Sequence, residues 1–590
     1  MARRFAAHCL RLQIVLLAAF LTSCQPSGQD RTSAAPGPQS DLCQVPTTPI
    51  GSIQGKGFQS PLSGQSLVIR GVVTLAEPGS GLYLQEPQEL PLNGSSHGIF
   101  LASESLPAEF SEGDMVTIVG TVRELGAGDD TLTSIVEIDG YKRCGTGQQA
   151  PIYVAHLPLN PSEREALEGM RLRFEESLTV TEVRDVREGE ILVSAPDMLR
   201  APTEIARPGA EARAIESQNL DRAMLILNDE LSGLDPYTLI QVGAGFEELN
   251  GVLGHDGQQL RLLVDGELAF RSRATPVVPP PPAGTIRLAS FNLHEYFNGD
   301  GRGGGFPGER GAESEGEFRR QSARIMAAVA EIRPDILAFM ELENDGFGPE
   351  SASHELGREV SKALGVPYDV AVPDSSRVGT DVISVGLVYR PDRLTAEGPA
   401  KLLEGGSFGP LNRVPLAQLF SDRESGERFL VVVNHLKSKG YCPESGPNTD
   451  QGDGQACWNP IRAEGAREMV RWARHLAQEG GTNKLILVGD FNAYRLEEPV
   501  MEVLEAGLLE LVELHNPGSP HYSYIYRGAA GTLDYAFASK ALADVSSGAF
   551  IWHINAAYPY SGRPSEPWLR SSDHDPVIVD LAFSQAATLD

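Results

Sequence analysis

Six short polar texts stand at the ends of apolar runs in the second half of this 590-residue chain. Asn292 follows Leu288-Ala289-Ser290-Phe291, and Glu341 follows Ile336-Leu337-Ala338-Phe339-Met340. Asn434 and His435 follow Val431-Val432-Val433, and Asp490 and Asn492 follow Leu485-Ile486-Leu487-Val488-Gly489. Asp534 lies in Gly531-Thr532-Leu533-Asp534-Tyr535, and Asp573, His574 and Asp575 lie in Ser571-Ser572-Asp573-His574-Asp575-Pro576. One polar residue after a strand commonly caps a turn. Six such places supplying Asn, Asp, Glu and His gather donors of one chemical kind. Carboxylates and amides suit hard cations such as Mg²⁺ or Ca²⁺, and two histidines suit proton transfer near neutral pH.

These residues need elements to hold them. From Thr285 to about Phe583, apolar β runs alternate with helical patterns, the best of them at Phe318–Ile332 and Ala463–Gln478. That is an α/β layout, in which functional residues sit at strand ends. Ahead of it, Thr275 to Pro282 reads as a stiff polyproline linker, and we place the boundary at 273–284. Residues 43–147 show five short strand patterns (Leu67–Thr74, Gly81–Gln85, Gly98–Leu101, Met115–Val122, Leu132–Ile138) separated by Gly, Pro and Asp. Five strands in about 100 residues suit a small closed barrel of the OB type. Residues 148–272 read as a second β-rich module, with strands at Leu172–Phe174, Leu178–Val183, Glu190–Ser194, Leu239–Val242 and Leu260–Val264 and a polar, loop-like Ala201–Arg222. OB barrels often bind single strands through aromatics and basic grooves. Aromatics are sparse in this one, and a spacer or docking module is the favoured reading.

Lys and Arg total 49 against 79 Asp and Glu, a formal net charge of −30. Such a balance excludes a protein that coats nucleic acid through a basic surface, since that binding depends on neutralising phosphates. It leaves open an enzyme that meets phosphates through cations held by carboxylates. The acidity extends over 285–590, which hold 28 basic and 43 acidic residues.

Residues 1–23 have the form of an export signal, with Arg3, Arg4 and Arg11 before or beside the apolar run Ile14–Leu21. The run ends in Leu21-Thr22-Ser23-Cys24, which resembles the lipobox of bacterial lipoproteins and implies a lipid anchor at Cys24. An ordinary secretory signal is the alternative. Residues 24–42 then form a flexible tether, and the expected location is the outer membrane, the cell surface or the exterior. With Cys9 removed and Cys24 lipidated, Cys43, Cys144, Cys442 and Cys457 remain. Four cysteines in an oxidising compartment suggest two disulfides with three possible pairings. We favour Cys43–Cys144, stapling the ends of one domain, and Cys442–Cys457, closing a loop. No CxxC pair supports zinc.

Taken together in order, Phe291-Asn292, Met340-Glu341, Asn434-His435-Leu436-Lys437-Ser438, Gly489-Asp490-Phe491-Asn492, Leu533-Asp534-Tyr535 and Ser572-Asp573-His574-Asp575-Pro576 resemble the endonuclease/exonuclease/phosphatase superfamily. The resemblance covers essentially all of 285–583 and implies a four-layer αββα sandwich at 285–585. Within the superfamily the chain looks most like bacterial extracellular nucleases with N-terminal β modules. The texts that carry this are Arg310-Gly311-Ala312, Glu317-Phe318-Arg319-Arg320-Gln321, Glu341-Leu342-Glu343-Asn344-Asp345-Gly346, Gly379-Thr380-Asp381, Tyr389-Arg390-Pro391 and the Cys442…Cys457-Trp458-Asn459 loop. Asn292-Leu293-His294 lacks the Asp that abasic-site enzymes carry two residues after this Asn, and those enzymes lack the His of Asn434-His435. Both departures point away from DNA repair.

The resemblance implies roles. Glu341 is the principal metal ligand, with Asn292 and Asp573, and the metal is Mg²⁺, with Mn²⁺ or Ca²⁺ as alternatives. His574 is the general base or a phosphate contact, oriented by Asp534. Asp490 positions the attacking water, Asn492 donates to the phosphate, and His435 is the general acid or phosphate donor on the leaving side. Asp381 is either an acidic partner for His435 or a turn residue after Gly379-Thr380. From the local sequence rather than the resemblance, His294, Glu295 and Asp300 read as solvated, and Lys437 and Lys439 as phosphate contacts, with exposed loop positions as the alternative. The implied activity is hydrolysis of phosphodiesters in DNA, with RNA open, at little sequence preference and with no protein partner. Another phosphoesterase of the same fold, a sphingomyelinase or a nucleotide phosphatase, is the alternative. A non-catalytic adhesion protein is disfavoured, since every expected catalytic residue is present.

Overall fold

The computed structural model describes residues 41–583 apart from 128–129, 184, 229–239, 256–259, 265, 267, 410 and 560–565. The export segment 1–23, Cys24 and nearly all of the tether 24–42 lie outside the described residues, as does the start of the strand expected at Leu239–Val242. No helix among the described residues is long and apolar enough to cross a membrane.

The strands Ser66–Glu77, Gly81–Gln85, Gly98–Ala102, Met115–Ala127 and Asp130–Gly145 close into a barrel in the spatial order first, second, third, fifth, fourth. Alternate residues such as Ile69, Val73, Leu82, Leu84, Ile99 and Leu101 fill its interior, as the two-residue period of a strand requires. The disulfide Cys43–Cys144 joins the two ends of this unit, and Cys442–Cys457 forms the second bond.

An eight-stranded sheet follows, running edge to edge as Gly245–Phe246, Leu178–Glu182, Glu190–Ser194, Ala223–Leu227, Leu260–Leu263, Leu249–His255, Arg171–Phe174 and Tyr153–Ala155. The expected loop Ala201–Arg222 is largely helical, with turns at Pro202–Ile205 and Ala210–Arg222. Of the second helix only Ala212 is buried. It therefore has no apolar stripe to read, and it forms from strong helix formers (Ala, Glu, Arg, Leu, Gln) and from tertiary contact. The Pro-rich linker is also packed down. Trp552 Nε1 donates to the Pro276 carbonyl at 3.0 Å, and Arg287 Nη1 to that of Pro279 at 2.8 Å.

Beyond the linker, two sheets pack face to face. The first runs Asp369–Val370, Ile383–Tyr389, Ile336–Glu343, Ile286–Tyr296, Val577–Leu581, Ser546–Ile551. The second runs Leu394–Ala396, Leu416–Asp422, Arg428–His435, Leu485–Asp490, Asp534–Ala538, Leu509–Glu510, with Lys401–Leu402 paired to Leu416–Asp422. Residue parity sorts the layers. Leu288, Ile336, Ala338 and Met340 pack between the sheets. Ala289, Phe291, Leu337 and Phe339 pack outward with Phe318, Ile325, Val329 and Ile332 of the helix Glu315–Ile332 and with Leu356 and Val360 of Ala352–Leu364. Asn459–Glu479 covers the second sheet through Ala466, Met469, Val470 and Ala473. The result is the αββα sandwich. Its outward core is continuous with that of the second module, because Phe174, Val180, Val193, Ile226 and Leu262 join the same cluster.

Candidate active site

Register delivers the polar residues. In the second sheet His435 lies opposite Asp490, and Asp490 opposite Asp534, on three adjacent strands. In the first sheet Asn292 has the parity of Leu288 and so faces between the sheets, opposite Met340. Glu341 would alternate away. Instead it takes φ +60°, and the pairing shifts between Phe339 and Leu342. His294 and Glu295 (φ +53° and +57°) and Asn492 (φ +47°) are also left-handed. Non-glycine residues adopt that region at a cost, and such outliers cluster at functional sites. Gly489 has φ +130°, and a Cβ there would stand 2.1 Å from the Asn434 carbonyl oxygen.

Four groups converge on Asp490 Oδ2. Asn492 Nδ2 donates at 3.1 Å and Asn292 Nδ2 at 3.5 Å. His435 Nε2 stands at 3.5 Å and His574 Nε2 at 4.0 Å. Asn292 Nδ2 also donates to Glu341 Oε1 at 3.1 Å, and His435 Nε2 lies 3.9 Å from that oxygen. His574 Nδ1 meets Asp534 Oδ2 at 2.7 Å, with its ring 4.6 Å from that of Tyr524. Ser572 Oγ donates to the Asn292 carbonyl at 2.7 Å, tying the Asp573-His574 loop to the first sheet. Asp575 holds the other side of that loop by accepting from the backbone N–H of Ile554, Asn555 and Ala556.

The electrostatics follow from burial and proximity. Burial, then Asp573, pushes the Glu341 carboxyl up. Burial, then Asp534 and Glu341, pushes Asp490 up to about 7. Burial alone would raise Asp573, but His294 and His574 outweigh it and hold the carboxyl well below its ordinary range. Burial, then the Arg413 charge, pushes His435 far down. For His574 burial acts in the same sense, but Asp534 and Asp573 outweigh it and hold the imidazole well above its usual value. The site thus pairs a neutral imidazole with a charged one. Its oxygen donors, crowded and short of compensating charge, fit a hard divalent cation. Glu341, His435 and Asp490 present ligand atoms within 4.8 Å of one another.

Asn292, Glu341, His435, Asp490, Asn492, Asp534, Asp573 and His574 are therefore brought together. Asp381 is not brought to His435. It pairs with Arg413 Nε at 3.2 Å, and His435 Nδ1 is buried with no hydrogen-bond partner among the described residues. Arg413 is itself nearly buried and needs a counter-charge there. Lys439 is committed to the fully buried Glu497 (2.5 Å) rather than to the surface. Lys437 Nζ sits 5.3 Å above the Trp458 ring, and burial lowers it to about 8. His294, expected in solvent, keeps a half-exposed side chain but also pairs with Asp573 Oδ1 at 3.1 Å, and that carboxylate raises it to about 9. Glu295 pairs with Arg310, and Asp300 accepts from the backbone of its own loop. Besides His294, Tyr524 and Arg413 also stand at the site, and neither lies in a local pattern that marks it.

Residues 289–574 match the Endonuclease/Exonuclease/phosphatase family. Human Nocturnin is 22% identical over 280 residues, which are 46% of this chain and 59% of that protein. The chain thus spans about three fifths of the length of the curated relatives it matches. Among solved structures, the human Nocturnin catalytic domain with bound sulfate is 17% identical, covering 52% of this chain and 97% of that one at a TM-score of 0.34. An endonuclease/exonuclease/phosphatase from Bacteroides vulgatus is 14% identical, covering 51% and 99% at 0.35. The segment 289–574, which runs from within the Asn292 strand to His574, belongs to the Endonuclease/Exonuclease/phosphatase family.

Proposed function

We propose that this chain is an exported, metal-dependent nuclease that hydrolyses phosphodiester bonds of DNA with little sequence preference, RNA remaining open. Phosphoester hydrolysis is the activity of the family. The observation that carries the finer reading is the convergence of two histidines and two amides on the single oxygen Asp490 Oδ2. Hydrolysis of a diester needs an oriented water, stabilised negative charge and a protonated leaving oxygen.

Asp490, fixed by Asn492 and Asn292, accepts a hydrogen bond from the attacking water. His574 is held by Asp534 in one orientation, donating from Nδ1 and presenting Nε2 to the reacting atoms. His435, buried and neutral, presents Nε2 from the other neighbouring strand as a hydrogen-bond donor to the phosphate on the leaving side. Mg²⁺, or Mn²⁺ or Ca²⁺, bound by Asn292, Glu341 and Asp573 would neutralise a phosphate oxygen and offset the Asp573 charge that holds the proton on His574. Exposed Tyr441 and Tyr526, and Trp458 beneath Lys437, offer ring faces for bases. Export and a lipid anchor at Cys24 rest on the text of residues 1–24.

The test is nicking of supercoiled plasmid with Mg²⁺, with and without excess chelator, in parallel with sphingomyelin and mononucleotides. Metal-dependent nicking that His574→Ala abolishes is expected. Intact plasmid beside hydrolysed lipid or mononucleotide would keep the phosphoesterase and overturn the nuclease.

A further inference from the structure

The segment 199–204 of the second module is built into the wall of the site. Ala201 N donates to the Ala530 carbonyl and Ala530 N to that of Leu199, both at 2.9 Å, so this segment adds a third chain to the hairpin Tyr524–Tyr526/Ala529–Gly531. Ala201 packs with Tyr494 and Leu533 in a small core of their own. Thr203 Oγ1 donates to Glu497 Oε1 at 2.7 Å, and Leu496 N to the Thr203 carbonyl at 3.0 Å.

Glu204, 4% exposed, closes this seam. Its Oε2 accepts from Thr532 N at 3.0 Å and from Arg495 N at 3.3 Å, and its Oε1 from Thr532 Oγ1 at 3.2 Å. Thr532 stands two residues before Asp534, and Arg495 three after Asn492. From Thr532 the path to the histidine is short. Ser523 Oγ accepts from both Leu533 N and Asp534 N at 3.0 Å, and Asp534 holds His574. One buried carboxylate therefore pins the segment leading into the Asp534 strand to the loop that follows Asp490 and carries Asn492.

We propose that Glu204 of the second module is a positioning residue for the catalytic groups, fixing Asp534, and through it His574, relative to Asp490. The module is then part of the catalytic unit. The inference rests on the reading of Asp534, His574 and Asp490 given above.

The experiment uses the whole chain and two readouts. One is kcat and KM on bis(p-nitrophenyl) phosphate. The other, which needs no turnover, is the low-field Nδ1–H proton resonance of His574, assigned by its loss in His574→Ala. Glu204→Gln leaves one acceptor where four donors converge, Arg200 Nη2 at 3.4 Å among them, and removes the charge that pairs with Arg200. It is expected to lower kcat about tenfold or more at nearly unchanged KM, since a 1 Å misplacement can cost roughly 10²-fold, and to move the His574 resonance. Thr532→Val, which deletes only the hydroxyl, is expected to do the same in smaller measure, and Thr532→Ser to restore both readouts. A folded Glu204→Gln with wild-type kcat and an unmoved resonance overturns the proposal. Should Glu204→Gln fail to fold, the Thr532 pair decides in the same way. A wild-type chain that does not cleave the diester would sink the functional reading, while the resonance would still decide the role of Glu204.

Discussion

The pair formed by Asp534 and His574 is the most constrained contact of the site. It measures 2.7 Å, both side chains are nearly inaccessible, and the ring is covered by Tyr524. An amide at 534 keeps the shape but withdraws the charge that stabilises the imidazolium. Asp534→Asn is therefore expected to lower kcat by about 10²–10⁴-fold, the usual worth of a positioned proton-transfer group, with its melting temperature close to that of the unaltered chain. A kcat within twofold of the unaltered chain would remove His574 from the reaction. His294 belongs to the same scale. The Asn292 text was legible as the end of an apolar run, but the left-handed kink inside Ile286–Tyr296, which carries His294 back to Asp573, has no local signature. The residues that sit directly on strand ends could be read, because apolar runs mark both the strand and where it stops. Those that reach the site by tertiary contact could not.

Strand-end geometry makes its own predictions. Gly489 supplies a φ of +130° and a close approach to Asn434 that no side chain tolerates. Gly489→Ala is expected to cost roughly 2–5 kcal/mol, combining backbone strain with overpacking, as read by urea unfolding. A loss below about 1 kcal/mol would show that the strand can shift without penalty. The short helix Leu511–His515 titrates instead. Its cap Glu510 accepts from Val512 N and Glu513 N, yet burial outweighs these bonds and pushes the carboxyl up to about 7. A carboxyl with a raised folded pKa binds its proton more tightly in the native state. Its contribution is thus full below about 4.3, the unfolded value, and lost as pH rises through about 7. Glu510→Gln is expected to flatten the fall in melting temperature across that window. An unchanged slope would assign it to other groups. The fully buried strands of the sandwich were readable from their unbroken apolar runs. The helix Ala210–Arg222 and the segment at Glu204 were not. The helix buries one residue, and Glu204 acts on Thr532 across 328 positions of sequence.

At the scale of the molecule, charge and shared cores dominate. A net charge of −30 opposes the approach of a polyanion. At constant Mg²⁺, kcat/KM on DNA is expected to rise as monovalent salt goes from about 10 to about 100 mM, while the screening length shrinks from about 30 to about 10 Å. Rates that fall steeply over that range would reveal a cationic track that dominates the field, as in proteins that bind by displacing counterions. The common core of the second module and the sandwich explains why the proline-rich boundary, plain in the sequence, does not separate two independent bodies.

The strand Val577–Leu581 lies between Ile286–Tyr296 and Ser546–Ile551, and Asp573 and His574 immediately precede it. Translation runs at about 5–20 residues per second, so roughly 15–60 s pass between the making of Ile286 and of Leu581. Throughout that interval the first sheet lacks the fifth of its six strands, and the site has neither Asp573 nor His574. A growing chain therefore lacks a complete site until this last strand is made, and the delay is set by the order of the strands.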